Sequence, residues 1–494
     1  MGHSAEQRLL SGTALTLAAE ALFPLSGLVT AIILTRYLGT AGYGILVLVV
    51  SMVAWVEVVI AALFSRATIK LTSELTDWHP IGVTVLRLSL GVSSGVTIVL
   101  WLGAPGLAAL LHEPEIVFYL CLFACDIPIF AVNRAHDSIL TGIGDFHQRA
   151  ITRALRWTAR LVFIVAFVAW DFAITGAIFA NIGASLIELL VLRRYVRLSL
   201  FASSSYPTTD LWRVAAPLFS STLFLSLHLQ LDQLLLKMLG GTTAQVGIYG
   251  AARNLASLPG LLSVALTPLL VSTLSHLLHN AERTVAQRIA RNALRLVLAL
   301  FPFAGLVAGG APAIIGTIFG ASFSTAAPLL AVLIFGALAL VLVSVGIAIL
   351  TAGSMYRGTL VVTSFLVPLT VLGSMIIIPQ YSSLGAALVW TGVSISGALL
   401  TLLVLYYLWG IAPPLGTFAR SVFLTYVTYV CSVLDPVSGL WFWGKFTVLG
   451  LAIPGAYLLL GECSREERRM LAALARRFFF RYPTNITSFY LSIL

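Results

Sequence analysis

Charged side chains are scarce in this sequence. Asp, Glu, Lys and Arg make up only 10% of its 494 residues, whereas a soluble globular domain carries roughly 25%. So few charges cannot cover a water-facing surface, which excludes a soluble globular protein. With 59% hydrophobic residues, the bilayer must be the solvent for most of the surface. The long apolar runs lack a polar–apolar alternation, so they predict membrane-spanning helices rather than a barrel.

Cysteine is scarce as well. The four cysteines lie within or at the end of apolar runs, and we predict small packing residues there rather than a disulfide or a metal site: Cys121, Cys125, Cys431 and Cys463. The sequence has no glycine-rich loop with a phosphate-binding lysine and no metal-ligand spacing of His and Cys. We therefore expect no metal, no cofactor and no ATP hydrolysis, and a transporter rather than an enzyme.

The apolar runs predict an all-α polytopic membrane protein of about fourteen transmembrane helices, since about 20 apolar residues cross the roughly 30 Å of hydrocarbon. The predicted spans are residues 10–36, 44–65, 81–104, 116–141, 154–170, 172–196, 213–239, 246–275, 292–316, 326–352, 358–379, 383–409, 417–434 and 440–461.

Positive charges follow alternate loops. Of the 29 Lys and Arg, all lie at the N-terminus, in alternate loops and the adjoining helix ends, or in the C-terminal tail, except Arg36, Lys237, Arg253 and Lys445. By the positive-inside rule, the basic loops and both termini are predicted to be cytoplasmic. This topology accounts for the net charge of +10, so we expect no nucleic-acid partner.

Short motifs recur in the same order in the two halves. Residues 35–39 (TRYLG) match 236–240 (LKMLG), and 103–105 (GAP) match 310–312 (GAP). The repeat holds six spans, an even number, so both copies start on the same side of the membrane as a parallel repeat.

The repeat also predicts the domain organisation. We expect an N-terminal six-helix bundle at 1–200, a C-terminal six-helix bundle at 201–412, two extra transmembrane helices at 413–461 and a basic cytoplasmic tail at 462–494. Two homologous bundles suggest a substrate path between them and alternating access by rocking.

Several motifs carry a family resemblance. Residues 34–44 (LTRYLGTAGYG) resemble the exit of the first helix in polysaccharide transporters, and 231–236 (LDQLLL) with 246–253 (VGIYGAAR) resemble their seventh and eighth helices. Residues 141–146 (TGIGDF) and 381–387 (YSSLGAA) resemble the turn after the fourth helix and the entry to the twelfth. In order and spacing, the chain resembles the polysaccharide transporter, or O-antigen flippase, family of the multidrug/oligosaccharidyl-lipid/polysaccharide flippase superfamily.

This resemblance, over roughly residues 5–410, implies a flippase. Its implied substrate is a polyprenyl-diphosphate-linked oligosaccharide, an O-antigen or exopolysaccharide repeat unit, moved from the inner to the outer leaflet of a prokaryotic cytoplasmic membrane. Expected partners are this lipid-linked oligosaccharide, membrane lipids and polysaccharide polymerase or assembly proteins. We expect the protein to act as a monomer.

Arg253 is the leading candidate for binding the diphosphate. An ionisable residue within a span is a functional candidate by default, and arginine can hold phosphate oxygens in a bidentate fork. The resembled family carries cavity cations on the same helix. The alternative is an arginine that snorkels to water at the outer interface.

Arg36 and Lys237 occupy equivalent positions in the two repeats, each ending a span at the outer face. Their symmetry suggests a paired outer gate or a site for the departing diphosphate. The alternative is a pair of cations that anchor helices at headgroup level.

Glu20 and Glu57 lie within the first and second spans. Lone carboxylates there are costly unless paired or hydrated, so they could bind sugar hydroxyls, pair with Arg253 or carry a coupling proton. The resembled diphosphate flippases tend to place cations on these helices, so the carboxylates depart from an all-cation cradle.

Two further pairs are coupling or cavity candidates. His228 and Asp232 lie four residues apart on the seventh span and share a helix face, which suits proton coupling or an interhelical lock. Asp126 and Arg134 on the fourth span could face the inner cavity or simply join helices.

Three other functions remain open. A drug or organic-cation antiporter of the same superfamily would use Glu20, Glu57 and Asp232. A membrane-embedded glycosyltransferase or polymerase would need a catalytic cluster, usually on a large outer loop, and the predicted outer loops are short and almost uncharged. A scaffold protein is the third.

Overall fold

The structure of the protein is a computed structural model that describes residues 2–74, 77–198, 206–411, 415–434 and 439–462. Within these ranges, side chains are left out at 2–21, 23, 66, 74, 209–222 and 440. Every regular element in the described part of the chain is helical. The all-α prediction is therefore confirmed.

Fifteen α-helices and one short 3₁₀ helix follow one another along the described chain. They are α1 (Gly2–Glu74), α2 (His79–Leu111), α3 (Ile116–Ala124), α4 (Asp126–Gly142), α5 (Phe146–Ala169), α6 (Ala173–Tyr195), α7 (Thr208–Met238), α8 (Thr243–Ala256), α9 (Gly260–His279), α10 (Arg283–Leu298), α11 (Phe301–Ile318), the 3₁₀ helix (Ala321–Ala326), α12 (Ala327–Ala352), α13 (Tyr356–Trp409), α14 (Leu415–Val433) and α15 (Leu440–Leu459).

Two of these helices each hold two spans. α1 bends at Gly39, whose φ of 67° is a conformation that glycine adopts without penalty, and α13 bends at Ser382. We call the parts of α1 before and after Gly39 its first and second limbs. By length and composition alone, nine helical stretches among the described residues could cross a membrane. Pro24–Ser73 and Tyr356–Trp409 are the two that contain these bends.

Three predicted spans are broken rather than continuous. The fourth is divided into α3 and α4, the eighth into α8 and α9, and the ninth into α10 and α11. A proline lies in or just after each break: Pro128, Pro259 and Pro302. Proline has no N–H to donate and its ring crowds the preceding turn, so the helix cannot run through unchanged. With these breaks and the two bends counted, the helices correspond to the fourteen predicted spans.

The apolar core shows how the two halves of the chain meet. At one face of the molecule a single buried cluster includes residues of both halves, such as Val49 and Leu120 with Val246 and Leu330. Toward the other face the halves have separate cores, one around Ile139 and one around Ile349 among others. We call the face with the separate cores and the arginine-rich helix ends the basic face, and the other the opposite face. The halves are thus joined at the opposite face.

α14 packs against α11 in the C-terminal half through small residues. Gly305 and Gly309 lie against α14 so closely that a Cβ on either would collide with Thr425 or with Ser432. Close approach at glycines four residues apart is a common way to pack helices in membranes. Thr428 Oγ1 adds a hydrogen bond to the Pro302 carbonyl (2.8 Å).

Glu462 ties the last two spans to the same half on the basic face. Its carboxylate accepts hydrogen bonds from Arg295 Nε (2.7 Å), Thr417 and Arg420. Burial raises the pKa of Glu462, but these three donors outweigh burial and the net pKa lies below its usual value. The two extra helices therefore form part of the C-terminal half.

The predicted boundaries near residues 200 and 412 coincide with ranges outside the described residues, and so does the predicted tail after Glu462. The division into domains stays a prediction.

Candidate functional site

A capping box fixes the start of α8 at the opposite face. Thr242 Oγ1 accepts a hydrogen bond from the backbone N–H of Gln245 (3.2 Å), and Gln245 Oε1 accepts one from the backbone N–H of Thr242 (2.9 Å). α8 then runs inward and carries Arg253 in its last turn, before the break at Pro259. The guanidinium is thus positioned at membrane depth.

Arg253 is held by a carboxylate and an indole. Its Nε donates to Asp232 Oδ2 at 3.1 Å, and its guanidinium carbon lies 3.7 Å from the centroid of the Trp390 ring. Tyr249 donates its hydroxyl to the same Asp232 oxygen (2.7 Å). The Arg253 side chain is 11% exposed, so the interpretation as a snorkelling residue is wrong. Ion pairing and the cation–π contact stabilise the buried charge.

His228 shares this environment without bonding Asp232. Its ring stacks on Trp390 at 6.2 Å between centroids. Its Nδ1 lies 2.9 Å from Thr370 Oγ1 and its Nε2 lies 3.4 Å from Ser394 Oγ. His228 therefore joins α7 to both spans of α13. These are the contacts of an interhelical lock, and a role of His228 and Asp232 in proton coupling stays a prediction.

In the N-terminal half, α5 carries a row of arginines. Arg149, Arg153, Arg156 and Arg160 follow one another by four, three and four residues, the spacing of one helix face. The two nearest the basic face pair with Asp137 on α4, through Arg149 Nε at 3.2 Å and Arg153 Nη2 at 2.9 Å. The row then continues into the membrane.

Glu188 on α6 is the carboxylate that contacts the arginines at the next level into the membrane. This carboxylate is fully buried, accepts hydrogen bonds from Arg134 Nη2 (2.8 Å) and Asn133 Nδ2 (3.1 Å), and forms an ion pair with Arg156 Nη1 (3.1 Å). With these three partners, Glu188 joins α4, α5 and α6 into one unit. Charges at this depth persist because they are paired.

Asp126 and Arg134 both join α4 to α6. Asp126 Oδ2 accepts from Asn181 Nδ2 (2.8 Å) and Ser185 Oγ (3.2 Å), and Arg134 binds Glu188. The hypothesis of helix–helix pairing therefore describes their contacts. Asp126 Oδ1 is buried and makes no hydrogen bond within the described chain, so one oxygen remains available to a small donor.

Glu57 and Arg160 lie near each other at the deep end of the row, without an ion pair between them. They lie within electrostatic range, and Asp126 lies within range of both. Glu57 Oε1 and Arg160 Nε are buried and have no hydrogen-bond partner among the described residues. Pairing of Glu57 with Arg253 is wrong, since Arg253 pairs with Asp232. Glu20 lies outside the residues whose side chains are described.

Arg36 bridges the two halves at the opposite face. Its Nη2 donates to the Thr317 carbonyl (2.8 Å) and its Nε to the Ile318 carbonyl (3.1 Å). These are the last carbonyls of α11, where the helix dipole favours a positive charge. Arg36 therefore closes the first limb of α1 onto the C-terminal half.

Lys237 makes a second bridge at the same face. Its Nζ lies 2.8 Å from Glu113 Oε1, on the loop between α2 and α3, and 3.0 Å from Thr243 Oγ1. Thr243 also donates to Glu113. The two positions that the repeat pairs, Arg36 and Lys237, thus both connect one half to the other, which goes beyond anchoring at headgroup level. We call these two bridges the outer latch.

Glycines bring the backbones of the two halves into contact just inside the latch. A Cβ on Gly44, in the second limb of α1, would collide with the Thr243 carbonyl, and one on Gly247 of α8 would collide with the Thr40 carbonyl. No other residue type fits at so close a crossing. The Tyr43 side chain, next to this crossing, lies close to Asn254, the neighbour of Arg253.

Comparison with known proteins agrees with this architecture. Residues 9–274 match the family model described as polysaccharide biosynthesis protein, which is more than half of the chain. The chain belongs to the polysaccharide biosynthesis protein family. No curated protein matches its sequence at a significant level.

Solved structures show which fold this family member has. Lipid II flippase MurJ in an inward closed conformation is similar over 91% of this chain and 98% of its own, with a TM-score of 0.74 at 15% identity. An inward-facing multidrug resistance MATE family transporter of the MOP superfamily is similar over 82% of this chain and 94% of its own (TM-score 0.66, 17% identity). An outward-facing structure of a multidrug resistance MATE family transporter is similar over 85% of this chain and 96% of its own, with a TM-score of 0.57 at 16% identity. The family model confirms the predicted family, and these structural likenesses confirm the predicted fold.

Sequence reasoning missed two residues of this family member's polar interior. Glu113 provides the carboxylate for Lys237, and Trp390 provides the ring under Arg253. For Glu188 the sequence predicts pairing with a neighbouring cation such as Arg194, and the structure pairs it with Arg134 and Arg156 instead. The arginine row on α5 could have been found in the sequence, because the spacing of the four arginines places them on one face of a helix. Interpreting those arginines only as cytoplasmic loop charges concealed how deep Arg156 and Arg160 lie.

Proposed function

We propose that this family member is a flippase for a polyprenyl-diphosphate-linked oligosaccharide repeat unit of an O-antigen or exopolysaccharide. The observation that carries the proposal is the guanidinium of Arg253, buried at membrane depth on the helix that meets the N-terminal half. A lipid-linked sugar has a diphosphate that hydrocarbon cannot solvate. An arginine turned inward can bind it, and its fork geometry matches phosphate oxygens.

The arrangement of the halves supports alternating access. The outer latch and the glycine crossing hold them together at the opposite face, while their cores are separate at the basic face. In our proposal the substrate enters from the basic face, and rocking of the halves then breaks the latch and exposes the site to the other leaflet. Arg36 and Lys237 act as the outer gate and meet the departing diphosphate.

By the positive-inside rule, the basic face is cytoplasmic. The proposal therefore includes a prokaryotic inner membrane, both termini in the cytoplasm, and movement from the inner to the outer leaflet. The protein acts as a monomeric transporter rather than an enzyme, with membrane lipids and polysaccharide polymerase or assembly proteins as its further partners.

The likeness in fold to multidrug transporters keeps an organic-cation antiporter as the second candidate. Such a transporter needs a carboxylate free to bind a cation. Asp232 is neutralised by Arg253, so the C-terminal half offers none there. Glu57 has a buried oxygen without a partner and is the carboxylate that this second candidate would use.

Translocation in proteoliposomes tests the proposal. External glycosidase reports which lipid-linked oligosaccharides have reached the outer leaflet. We expect protein-dependent exposure that falls at least tenfold when Arg253 and Asp232 are replaced together (Arg253→Ala/Asp232→Asn), since loss of one charge-assisted bond costs about 1.5–3 kcal/mol. Arg291→Ala, an exposed arginine on α10, is the matched control.

The outcomes separate the two candidates. If the Arg253→Ala/Asp232→Asn variant still exposes the lipid-linked oligosaccharide to the glycosidase, the protein is a flippase but Arg253 is not part of the substrate site. Absence of exposure with several polyprenyl diphosphate substrates, together with export of small organic cations, would overturn the flippase and favour the antiporter.

A further inference from the structure

Arg160 in the N-terminal half resembles Arg253 in its surroundings. The guanidinium of Arg160 lies over the ring of Trp157 (5.8 Å to the centroid), as that of Arg253 lies over Trp390. Each has a carboxylate nearby: Glu57 lies within electrostatic range of Arg160, and Asp232 is bonded to Arg253. The Trp157 ring also lies under Arg156 (5.2 Å to the centroid), so the N-terminal half has two arginines beside one indole and the C-terminal half has Arg253 over Trp390.

The two arginines lie at matching depth. Arg160 comes nine residues before Ala169, where α5 ends, and Arg253 comes ten residues after Thr243, where α8 begins. At 1.5 Å per residue, both lie about 14–15 Å from the ends of their helices at the opposite face.

A single residue at the meeting of the halves connects the two positions. Tyr43, on the second limb of α1, lies within electrostatic range of Arg160 and close to Asn254, the residue after Arg253. The two cations therefore approach the same inter-half space from opposite sides, just below the closed crossing of Gly44 and Gly247.

Arg160 differs from the arginines that precede it in the row. Arg149 and Arg153 bind Asp137, and Arg156 binds Glu188. Within the described part of the chain, no carboxylate lies at ion-pair distance from Arg160, and its Nε is buried without a hydrogen-bond partner. A buried N–H group that lacks a hydrogen-bond acceptor costs about 1–3 kcal/mol of stability. A ligand that offers an acceptor to Arg160 Nε therefore binds favourably.

We propose that Arg160 and Arg253 together form the diphosphate site, one arm from each half, and that Glu57 is the fixed counter-ion of the Arg160 arm. This inference rests on the proposed function and names a residue that neither the sequence nor the family match assigns. An anion held between the two halves is bound most tightly while both arms reach it. In the empty site, the Glu57 carboxylate compensates the positive charge of Arg160. When the anion is bound, the same carboxylate repels it electrostatically.

Equilibrium binding to the purified full-length protein in detergent tests the site without transport. The probe is a polyprenyl diphosphate that carries no sugar, and the reference ligand is the polyprenol of the same chain length. We expect the wild type to prefer the diphosphate, Arg160→Ala to weaken its binding about tenfold or more, and Arg160→Lys to keep part of the affinity. Glu57→Gln is expected to tighten binding, because it removes a negative charge near the anion.

Controls make each outcome decisive. Arg291→Ala should leave binding unchanged, and size-exclusion profiles identify variants that do not fold. Where Arg160→Ala fails to fold, Arg160→Lys and Glu57→Gln still give opposite predicted changes. Unchanged affinity in the Arg160 and Glu57 variants, with weak binding in Arg253→Ala/Asp232→Asn, would overturn the two-arm site and leave the flippase standing. A wild type that does not distinguish diphosphate from polyprenol would overturn both.

Discussion

The charge of Asp232 persists within the membrane because a neighbouring helix supplies its partners. Asp232 on α7 is only 2% exposed and receives both the Arg253 guanidinium and the Tyr249 hydroxyl. Taking an isolated carboxylate out of water costs several kcal/mol, and the paired guanidinium offsets that cost. The pair is therefore a stabilising element as well as a candidate site.

Removing one member of this pair should destabilise the protein more than removing both charges. Arg253→Ala leaves the Asp232 carboxylate buried and uncompensated, and we expect a loss of about 3–5 kcal/mol. The double variant Arg253→Ala/Asp232→Asn should recover most of that loss. Thermal unfolding in detergent measures both, with the exposed Arg291→Ala as control, expected to stay within about 0.5 kcal/mol of the wild type. Equal losses in the single and double variants would show that the ion pair does not matter for stability.

At the scale of elements, the crossing of the second limb of α1 with α8 decides how closely the halves approach. Gly44 and Gly247 place the two backbones in contact, and Gly250 extends the groove with a Cβ position 2.8 Å from Val47 Cγ2. Two similar short segments, GYG at residues 42–44 of the N-terminal half and IYG at 248–250 of the C-terminal half, meet here. The small residues thus have a packing role that their recurrence in sequence does not reveal by itself.

Gly247→Ala should open the opposite face. The added methyl group collides with the Thr40 carbonyl, which belongs to a helix backbone and cannot turn aside. We therefore expect the halves to separate there and a buried cysteine at Ile45→Cys to react faster with a membrane-impermeant thiol reagent. The four native cysteines are replaced by serine in this background.

Gly95→Ala is the matched control for this test. Gly95 lies on α2, and a Cβ there meets no atom within 4 Å. Its labelling rate should equal that of the parent. A Gly247→Ala protein labelled no faster than the Gly95→Ala protein would contradict a gate at this crossing.

At the scale of the whole molecule, the outer latch is the polar contact that must break if the halves rock. Burial raises the pKa of Glu113, but hydrogen bonds from Lys237 and Thr243, together with the Lys237 charge, outweigh burial and hold the net pKa below its usual value. In an open state, water surrounds Glu113 and its pKa returns to the ordinary range. Closure is therefore favoured at neutral pH, and this contribution is lost as the pH falls through the lowered value of the closed state.

Acidification below the ordinary glutamate range, about pH 4, should therefore shift the population toward the open latch. The Lys237–Glu113 pair is partly exposed and contributes about 0.2–1 kcal/mol, so we expect a modest shift. Distances between spin labels at Glu115→Cys and Met238→Cys measure it in the cysteine-free background. Glu113→Gln should remove this component of the pH dependence. The same pH dependence in Glu113→Gln would assign the shift to another group.

Much of the molecule follows from local sequence. Hydropathy is a property of each residue and can be summed along the sequence. Backbone N–H and C=O groups in lipid must form hydrogen bonds within their own helix. The helical class, the spans and the six-plus-six-plus-two arrangement were therefore predictable, and so was the family. Pro259 and Pro302 mark in the sequence where two spans are interrupted. Whether a span bends or breaks at a proline depends on the helices packed against it.

Charge partners and closure were decided only by the tertiary structure. Arg253 pairs with Asp232, Arg156 with Glu188 and Lys237 with Glu113, and each pair joins separate elements of the fold. A one-dimensional pattern gives the depth of a charge and the helix face that carries it, but not the helix that lies opposite. Which face of the molecule is closed likewise depends on how two separately predictable bundles tilt against each other, a balance of packing and a few ion pairs that no local sequence signal encodes.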